Sequence, residues 1–187
     1  MAVAIESPTI IKEVKPTILK IIVCGEGGIG KTALINTFQS GRFMPDTTMT
    51  IAVQFHTARY TFTSSRTNGE VALQIWDLGG QRHFREMKMF EKYCRGAHAA
   101  LVCFDLSDLD TLEEIPRWIE LLPKNIPKIL VGTKKDRCPE SAEDIVEPYL
   151  EQLNFQEYFE ISSKDEASSV IDVFNRLLIA YENFNYK

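Results

Sequence analysis

The chain has 187 residues, of which 44% are hydrophobic and 25% are charged, a size and composition that fit one globular domain. The formal net charge of −5 argues against a general attraction to nucleic acid or anionic lipid, because both need a basic protein surface. No apolar run approaches the roughly 20 residues of a membrane span, and the cysteines form no Cys-x-x-Cys pair. These features predict a cytoplasmic protein with free thiols.

The predicted elements alternate between strands and helices. Residues 1–16 contain two prolines and no sustained period, so we interpret them as an extension that precedes a domain at residues 17–187. The predicted strands are Ile18–Cys24, Ile51–Phe62, Val71–Trp76, Ala99–Phe104, Lys128–Val131 and Tyr158–Ile161. The predicted helices are Lys31–Gln39, Thr111–Leu122, Ala142–Leu150 and Ser168–Tyr181, the last with Ser168 as its N-cap. This alternation predicts an α/β fold with a mostly parallel sheet.

The second and third strands are close enough in sequence to form a hairpin. They are joined by residues 64–69, and the Asn68-Gly69 step in this connection favours a tight turn. The sheet is therefore expected to be mixed, with one antiparallel edge.

A glycine-rich loop follows the first strand. Residues 25–32 read Gly-Glu-Gly-Gly-Ile-Gly-Lys-Thr and fit the pattern G-x-x-x-x-G-K-[ST] of a P-loop. Backbone N–H groups of such a loop converge on a polyphosphate, and the helix that follows adds the positive end of its dipole. Lys31 is expected to reach the β- and γ-phosphates, and Thr32 to offer its hydroxyl to Mg²⁺. A chance glycine turn is the structural alternative, but the fixed offsets favour nucleotide binding, which we assign to Gly25, Gly27, Gly28, Ile29, Gly30, Lys31, Thr32 and Ala33.

Three later segments carry polar residues where predicted strands begin or end. Residues 76–81 read Trp-Asp-Leu-Gly-Gly-Gln, residues 133–136 read Thr-Lys-Lys-Asp, and residues 161–164 read Ile-Ser-Ser-Lys. Asp136 can accept hydrogen bonds from N1–H and the exocyclic amine of guanine, donors that adenine does not present. Taken alone, these short strings are also typical of strand-ending turns and solvated loops, so their meaning depends on the P-loop.

Together these motifs resemble the Ras superfamily of small GTPases over roughly residues 18–182, and Ile126–Asp136 and Leu101–Leu106 are similar to Rab and Ras members. The resemblance implies a P-loop NTPase fold with a six-stranded mixed sheet, one antiparallel edge and about five helices. It also implies a protein that binds GTP or GDP with Mg²⁺, cycles between the two states and slowly hydrolyses GTP.

The same resemblance implies roles for individual residues. Asp77 would be linked to the metal through a water, Gly80 would sense the γ-phosphate, and Gln81 would orient the attacking water. Phe43 would pack on the nucleotide, and Thr50 would ligate Mg²⁺ and hold its loop closed while GTP is bound. The metal site is thus predicted at Thr32, Thr50 and Asp77, the base site at Thr133, Lys134, Asp136, Ser162, Ser163 and Lys164, and catalysis at Lys31, Thr50 and Gln81.

The chain departs from the common family pattern at several positions. Leu78-Gly79 is closer to the Arf pattern than to the Thr-Ala of Ras and Rab members, and Thr133 replaces the commoner Asn, as in some Rho members. No arginine occurs from Phe43 to Thr50, which predicts slow intrinsic hydrolysis and a partner that supplies an arginine.

Two segments are expected to contact effector, exchange-factor and activating proteins: Phe43–Thr50, the first switch segment, and residues 78–90, the second switch segment. The apolar surface predicted for the second includes His83, Phe84, Met87, Met89 and Phe90. The sequence shows no basic tail, no terminal Cys box and no Gly at position 2, so we expect no lipid anchor and only indirect membrane contact through a partner.

Two other classes of protein are weaker interpretations of the same motifs. A module that holds GTP or GDP without hydrolysing it is disfavoured by Lys31, Thr50 and Gln81. A P-loop kinase or ATPase is disfavoured by the segment Thr133–Asp136.

Overall fold

The computed structural model describes residues 17–45, 48–83 and 89–185, and the predicted extension at residues 1–16 lies outside them. The strands are β1 (Thr17–Cys24), β2 (Val53–Thr63), β3 (Asn68–Leu78), β4 (Ala99–Asp105), β5 (Lys128–Thr133) and β6 (Glu157–Glu160). The helices are α1 (Lys31–Ser40), α2 (Met89–Cys94), α3 (Asp110–Glu113), α4 (Ile115–Ile119), α5 (Glu143–Leu153) and α6 (Ala167–Asn185). Lys135–Arg137 form a short 3₁₀ turn after β5.

The six strands form one mixed sheet in the order β2-β3-β1-β4-β5-β6. The pair β2–β3 is antiparallel and the other pairs are parallel. Every residue of β4 and β5 is buried, because helices cover both faces of the sheet at its centre. This confirms the predicted α/β fold, and it gathers the loops after β1, β3, β4, β5 and β6 along one edge.

Successive residues of β1 enter two separate cores. Ile21 and Val23 face α1 and α6, where the rings of Phe38 and Phe174 stack with their centroids 3.8 Å apart. Ile22 and Cys24 belong to the core on the opposite face of the sheet. The predicted apolar stripe of the last helix lies in the first core, with Val170, Val173, Phe174, Leu177 and Leu178 all buried.

The hairpin forms, but its predicted turn at Asn68-Gly69 is wrong. Both residues belong to β3, and they pair with Thr63 and Phe62. The chain turns at residues 64–67 instead, where the Ser64 hydroxyl accepts hydrogen bonds from the backbone N–H groups of Arg66 (3.1 Å) and Thr67 (2.9 Å). A serine side chain can stabilise such a turn without glycine.

Two helix predictions also need correction. The helix predicted at Thr111–Leu122 is two short helices, α3 and α4, and α4 carries Pro116 in its first turn. Proline has no N–H to donate to the preceding turn, which explains the break. Ser168 is not the N-cap of α6, because that helix begins at Ala167. Among the described helices, none has the length and apolarity required to span a membrane.

Candidate nucleotide-binding site

The P-loop (residues 25–32) connects β1 to α1 through backbone conformations that favour glycine. Gly28 and Gly30 have φ angles of 74° and 99°, and Gly30 occupies the N-cap position of α1. No side chain among the described residues caps this helix, so the N–H groups of its first turn remain directed at the loop. A helix N-terminus of this kind is suited to an anion.

Two adjoining cavities run along this edge of the sheet. The first is lined by Gly27, Gly28, Gly30, Lys31, Thr32 and Ala33 of the P-loop and α1, and by Thr48, Met49, Thr50 and Gly80. The second is lined by Gly28, Ile29, Gly30, Ala33, Phe43, Pro45, Thr133, Lys134, Asp136, Arg137, Ser163 and Lys164. Because Gly28, Gly30 and Ala33 line both, the cavities form one groove. Residues predicted to bind phosphate line one end of it, and residues predicted to bind the base line the other.

Most residues predicted to bind nucleotide line this groove, but Gly25 and Ser162 do not. Gly25 is the first residue of the P-loop, and Ser162 donates a hydrogen bond to Asp136, which does line the groove. Sequence reasoning missed Pro45, Thr48, Met49 and Arg137. Each lies within five residues of a predicted site residue, so proximity in sequence was the available signal.

Two hydroxyls and a carboxylate meet at the phosphate end of the groove. Thr32 Oγ1 donates a hydrogen bond of 2.5 Å to Asp77 Oδ2, and Thr50 Oγ1 lies 2.9 Å from Thr32 Oγ1 and 3.3 Å from the same carboxylate oxygen. Asp77 is fully buried, and its other oxygen, Oδ1, has no hydrogen-bond partner in the part of the chain that the structure describes. Burial raises the pKa of Asp77, although the Thr32 hydrogen bond and the Lys31 charge oppose this effect.

Lys31 is buried inside the P-loop. Its ammonium donates hydrogen bonds to the carbonyls of Gly25 (2.8 Å) and Glu26 (2.6 Å). Burial lowers the pKa of Lys31, and the nearby Asp77 carboxylate partly restores it. A phosphate in the adjoining cavity would favour the charged ammonium further.

Hydrogen bonds from β5 fasten the base end of the groove to the P-loop. Thr133 is buried, and its hydroxyl lies 2.6 Å from the carbonyl oxygen of Ile29 and 2.8 Å from that of Phe104. Lys134 donates to the Gly28 carbonyl at 2.7 Å and pairs with Asp105 at 2.6 Å. The last side chain of β5 and the one that follows it thus connect β5 to the P-loop.

Asp136 is held in place from the loop after β6. Ser162 Oγ donates a hydrogen bond of 2.9 Å to Asp136 Oδ1, and the backbone N–H of Lys135 donates to the Ile161 carbonyl at 3.0 Å. The two loops that were predicted separately from sequence are therefore one hydrogen-bonded unit.

Gly80 and Gln81 lie at the start of the second switch segment. A Cβ on Gly80 would overlap the backbone of Glu26 and Gly27, so this segment rests directly on the P-loop. Gln81 follows it and is half-buried. Gly80 lines the phosphate end of the groove, whereas Gln81 does not line either cavity.

One predicted surface residue is not at the surface. Phe90 is only 1% exposed and packs against Trp118 in the core, with ring centroids 6.0 Å apart. Phe90 is the second residue of α2, and its side chain belongs to the same core as Ile22 and Cys24 of β1. Met89 and His83 are exposed, whereas Phe84 and Met87 lie outside the described residues.

Comparisons with known proteins agree with this geometry. The family model described as Ras family matches residues 20–183. The chain is 33% identical over 180 residues to Ras-related protein Rab-19 of Xenopus laevis, covering 90% of this chain and 80% of that protein. It is 33% identical over 173 residues to Ras-related protein RABA4b of Arabidopsis thaliana, covering 89% of this chain and 73% of that protein. The match to Rab-19 of Mus musculus is 35% identical over 124 residues and covers 64% of this chain and 54% of that protein.

The matched residues include the P-loop, the strands of the sheet and the loops that line the groove. These relatives carry Rab names, and the likeness of Leu78-Gly79 to the Arf pattern stays a prediction. The chain belongs to the Ras family: it is a Rab-like small GTP-binding protein that hydrolyses GTP and acts as a molecular switch in membrane traffic or signalling.

Proposed function

We propose that this chain binds GTP and GDP along the groove, with Mg²⁺ at the corner formed by Thr32, Thr50 and Asp77. The observation that carries the proposal is the convergence of two hydroxyls on one buried carboxylate, at 2.5 and 3.3 Å. Hydroxyl and carboxylate oxygens suit Mg²⁺, and Asp77 Oδ1 is buried without a hydrogen-bond partner among the described residues. Thr32 and Thr50 would hold the ion directly, and Asp77 through a water. When bound, Mg²⁺ neutralises charge on the β- and γ-phosphates.

For hydrolysis we assign two roles: Lys31 stabilises the negative charge on the β- and γ-phosphates, and Gln81 orients the attacking water. The Thr50 hydroxyl would keep the first switch segment over the terminal phosphate. No arginine lies between Phe43 and Thr50, so the chain supplies none from this segment to the transition state. An arginine from a partner would contribute a factor on the order of 10³–10⁵ in rate.

Guanine selectivity is assigned to Asp136, with Lys134 lying along the base. The carboxylate lines the second cavity and is oriented by Ser162. A site built to accept two donors rejects a base that lacks them, because the carboxylate would be desolvated without compensation. Thr133, Ser163 and Lys164 complete the base site.

We assign the partner surface to Met49, Ile51, Phe55, Trp76 and Tyr93. The first three are 54%, 73% and 58% exposed, and exposed apolar side chains this close in sequence are typical of a binding surface. Phe55 meets Trp76 edge to face at 4.5 Å, and Trp76 is 5.9 Å from Tyr93. Because Met49 and Ile51 flank Thr50, release of Thr50 after hydrolysis would change the shape of this surface.

We also propose how the chain is organised and where the protein works. Residues 17–187 form the GTP-binding domain, and residues 1–16 are an extension to it. The protein works in the cytoplasm and reaches membranes through partner proteins bound at the partner surface.

Nucleotide competition tests the site directly. Displacement of fluorescent GDP from the Mg²⁺-loaded protein is expected to need far more ATP than GTP. Thr50→Ala should weaken binding of a non-hydrolysable GTP analogue while leaving GDP binding nearly unchanged. If ATP competes as well as GTP, the assignment of the base site is wrong.

Single-turnover hydrolysis tests the catalytic assignment. Gln81→Leu is expected to abolish phosphate release while GTP remains bound. Gln152→Leu, an exposed glutamine on α5, is the matched control and should hydrolyse GTP at the unmodified rate. Equal rates for the two variants would contradict the role given to Gln81.

A further inference from the structure

The P-loop is fastened at a third point, from α4. Side chains at the end of β5 hold it at Ile29 and Gly28. In addition, the indole N–H of Trp118 donates a hydrogen bond of 3.1 Å to Glu26 Oε1, across 92 positions of the chain. None of the roles assigned above uses either of these two side chains.

Trp118 is a donor whose position is fixed by the core. Its side chain is fully buried in the core that contains Ile22 and Cys24, and its ring is stacked on that of Phe90 with centroids 6.0 Å apart. A buried indole N–H without an acceptor is costly, because it loses the hydrogen bond that it makes to water in the unfolded chain. The core therefore holds the donor still, and the half-buried Glu26 side chain is held against it.

The backbone of Glu26 supports two residues of the phosphate site. Its carbonyl accepts a hydrogen bond of 2.6 Å from the Lys31 ammonium. A Cβ on Gly80 would lie only 2.1 Å from the carbonyl carbon of Glu26, so Gly80 rests on the same peptide group. A shift of the Glu26 backbone would therefore disturb the contacts of both residues.

The neighbours of Glu26 in the chain do little to restrain that backbone. Glu26 is preceded by Gly25 and followed by Gly27 and Gly28, so it is the one residue in this stretch that has a side chain. Glycine has more conformational freedom than any other residue. The hydrogen bond from Trp118 thus supplies a restraint that the adjoining glycines cannot.

We propose that Trp118 and Glu26 form an anchor that fixes the P-loop backbone around the Lys31 ammonium and so places this ammonium for the β-phosphate. Both are positioning residues, because neither side chain lines the groove and Trp118 acts through Glu26. The inference rests on the phosphate role proposed for Lys31.

Two substitutions of Glu26 isolate the hydrogen bond. Glu26→Gln keeps an oxygen that can accept from the indole, whereas Glu26→Met has a similar length and only a weakly accepting sulfur. Both variants remove the charge, so a difference between them reports the hydrogen bond. Because Glu26 is only half-buried, both are expected to fold.

The preference for GDP over GMP distinguishes positioning from stability. GMP has no β-phosphate, so its affinity does not depend on the contact between that phosphate and Lys31. Glu26→Met should have a preference for GDP about fivefold lower than that of Glu26→Gln. A loss of stability alone would weaken both nucleotides equally. Titration with fluorescent GDP and competition by GMP, with Mg²⁺ present, measure the preference.

The same pair of variants in a Trp118→Phe background completes the test. Phenylalanine keeps an aromatic ring but has no N–H to donate. Trp118→Phe alone should lower the preference, and in its background the Gln and Met variants of Glu26 should become equal. Ile115→Ala, at a buried position in the same helix and core, controls for lost packing. It should lower thermal stability without changing the preference.

Equal preferences for Glu26→Gln and Glu26→Met would overturn the anchor, and so would a difference that persists without the indole. If Trp118→Phe fails to fold, the comparison of the two Glu26 variants still decides. Lys31→Ala separates this inference from the proposed function. If Lys31→Ala lowers the preference while the two Glu26 variants are equal, the anchor is wrong and the phosphate role stands. If Lys31→Ala leaves the preference unchanged, both are wrong.

Discussion

Ser162 donates a hydrogen bond of 2.9 Å to Asp136, which lies 26 residues earlier in the chain. The bond joins the loop after β6 to the loop after β5, and it orients the carboxylate proposed to recognise guanine. Ser162 also accepts a hydrogen bond of 3.1 Å from the backbone N–H of Asp165, so its own hydroxyl is fixed. The base recognition proposed for Asp136 would therefore depend on a residue that does not itself line the groove.

Substitutions at these two positions should weaken GTP binding to different extents. Asp136→Ala removes two charge-assisted hydrogen bonds to the base, so GTP affinity should fall by about 3–6 kcal/mol and the preference over ATP should largely disappear. Ser162→Ala removes only the orienting hydrogen bond and should cost about 1 kcal/mol. Titration with fluorescent GDP measures both. Asp172→Ala, at an exposed position on α6, is the control and should bind normally.

Thr133→Val should destabilise the protein and loosen the P-loop. Valine has nearly the shape of threonine but lacks the hydroxyl proton, which threonine can donate to one of the two carbonyls, Ile29 at 2.6 Å or Phe104 at 2.8 Å. A buried hydrogen bond of this kind contributes about 1–2 kcal/mol, which corresponds to about 2–8 °C in the midpoint of thermal unfolding. Calorimetry of the GDP-bound protein measures the shift. An unchanged midpoint would mean that this hydroxyl does not fasten β5 to the P-loop.

Phe90→Ala should mainly lower the stability of the protein, whereas Phe55→Ala should mainly weaken the binding of partner proteins. Phe90 is buried, so its truncation should cost about 3–5 kcal/mol of unfolding free energy, which urea denaturation measures. Phe55 is 58% exposed, so its truncation should lower the free energy of unfolding by well under half as much as Phe90→Ala does. It should also weaken the binding of proteins to the partner surface. The second effect is measured as retention of lysate proteins on the GTP-loaded protein. Equal losses of stability would contradict the burial difference.

Low pH should destabilise the loop that carries Asp136, because protonation of Glu160 weakens its ion pair with the neighbouring Lys135. Burial acts to raise the pKa of Glu160, but hydrogen bonds from Lys135, the backbone of Ala142 and the Tyr158 hydroxyl outweigh it, so the pKa lies below its ordinary value of 4.5. A carboxylate with a depressed pKa stabilises the fold above that ordinary value, and the contribution is lost as the pH falls through the depressed pKa.

The matched variant is Glu160→Gln, which keeps the shape but cannot ionise. Its unfolding free energy should be lower than that of the unmodified chain at about pH 7, and the two should converge as the pH falls from 4.5 through the depressed pKa of Glu160. Urea denaturation at several pH values measures the difference. A gap that stays constant with pH would show that ionisation of Glu160 does not contribute.

The sequence predicted those features that depend on neighbouring residues. The P-loop is one example, because the glycines, Lys31 and Thr32 act through a single short stretch of backbone. The mostly parallel sheet is another, since strands that alternate with helices in the chain pair in parallel. The resemblance to the Ras superfamily also implied nucleotide contacts for Phe43 and Thr50, and both residues line the groove.

Side-chain burial and turn position were less predictable. Phe90 belongs to an amphipathic segment whose inward face depends on where α2 packs, so its sequence suits a surface as well as a core. The turn at residues 64–67 competes with Asn68-Gly69, and the register of β2 against β3 decides between them.

The amino-acid sequence by itself indicated the residues that we propose to bind phosphate, metal and guanine, because the motifs that carry them can be recognised in short stretches of the chain. Only the tertiary structure decided which of them meet. Two hydrogen bonds, from Gly79 to Ala52 and from Ser162 to Asp136, join segments that are distant in sequence. The burial of Phe90 depends on how α2 packs against the sheet. Such contacts depend on strand register and on how helices cover the sheet, and those are properties of the whole fold.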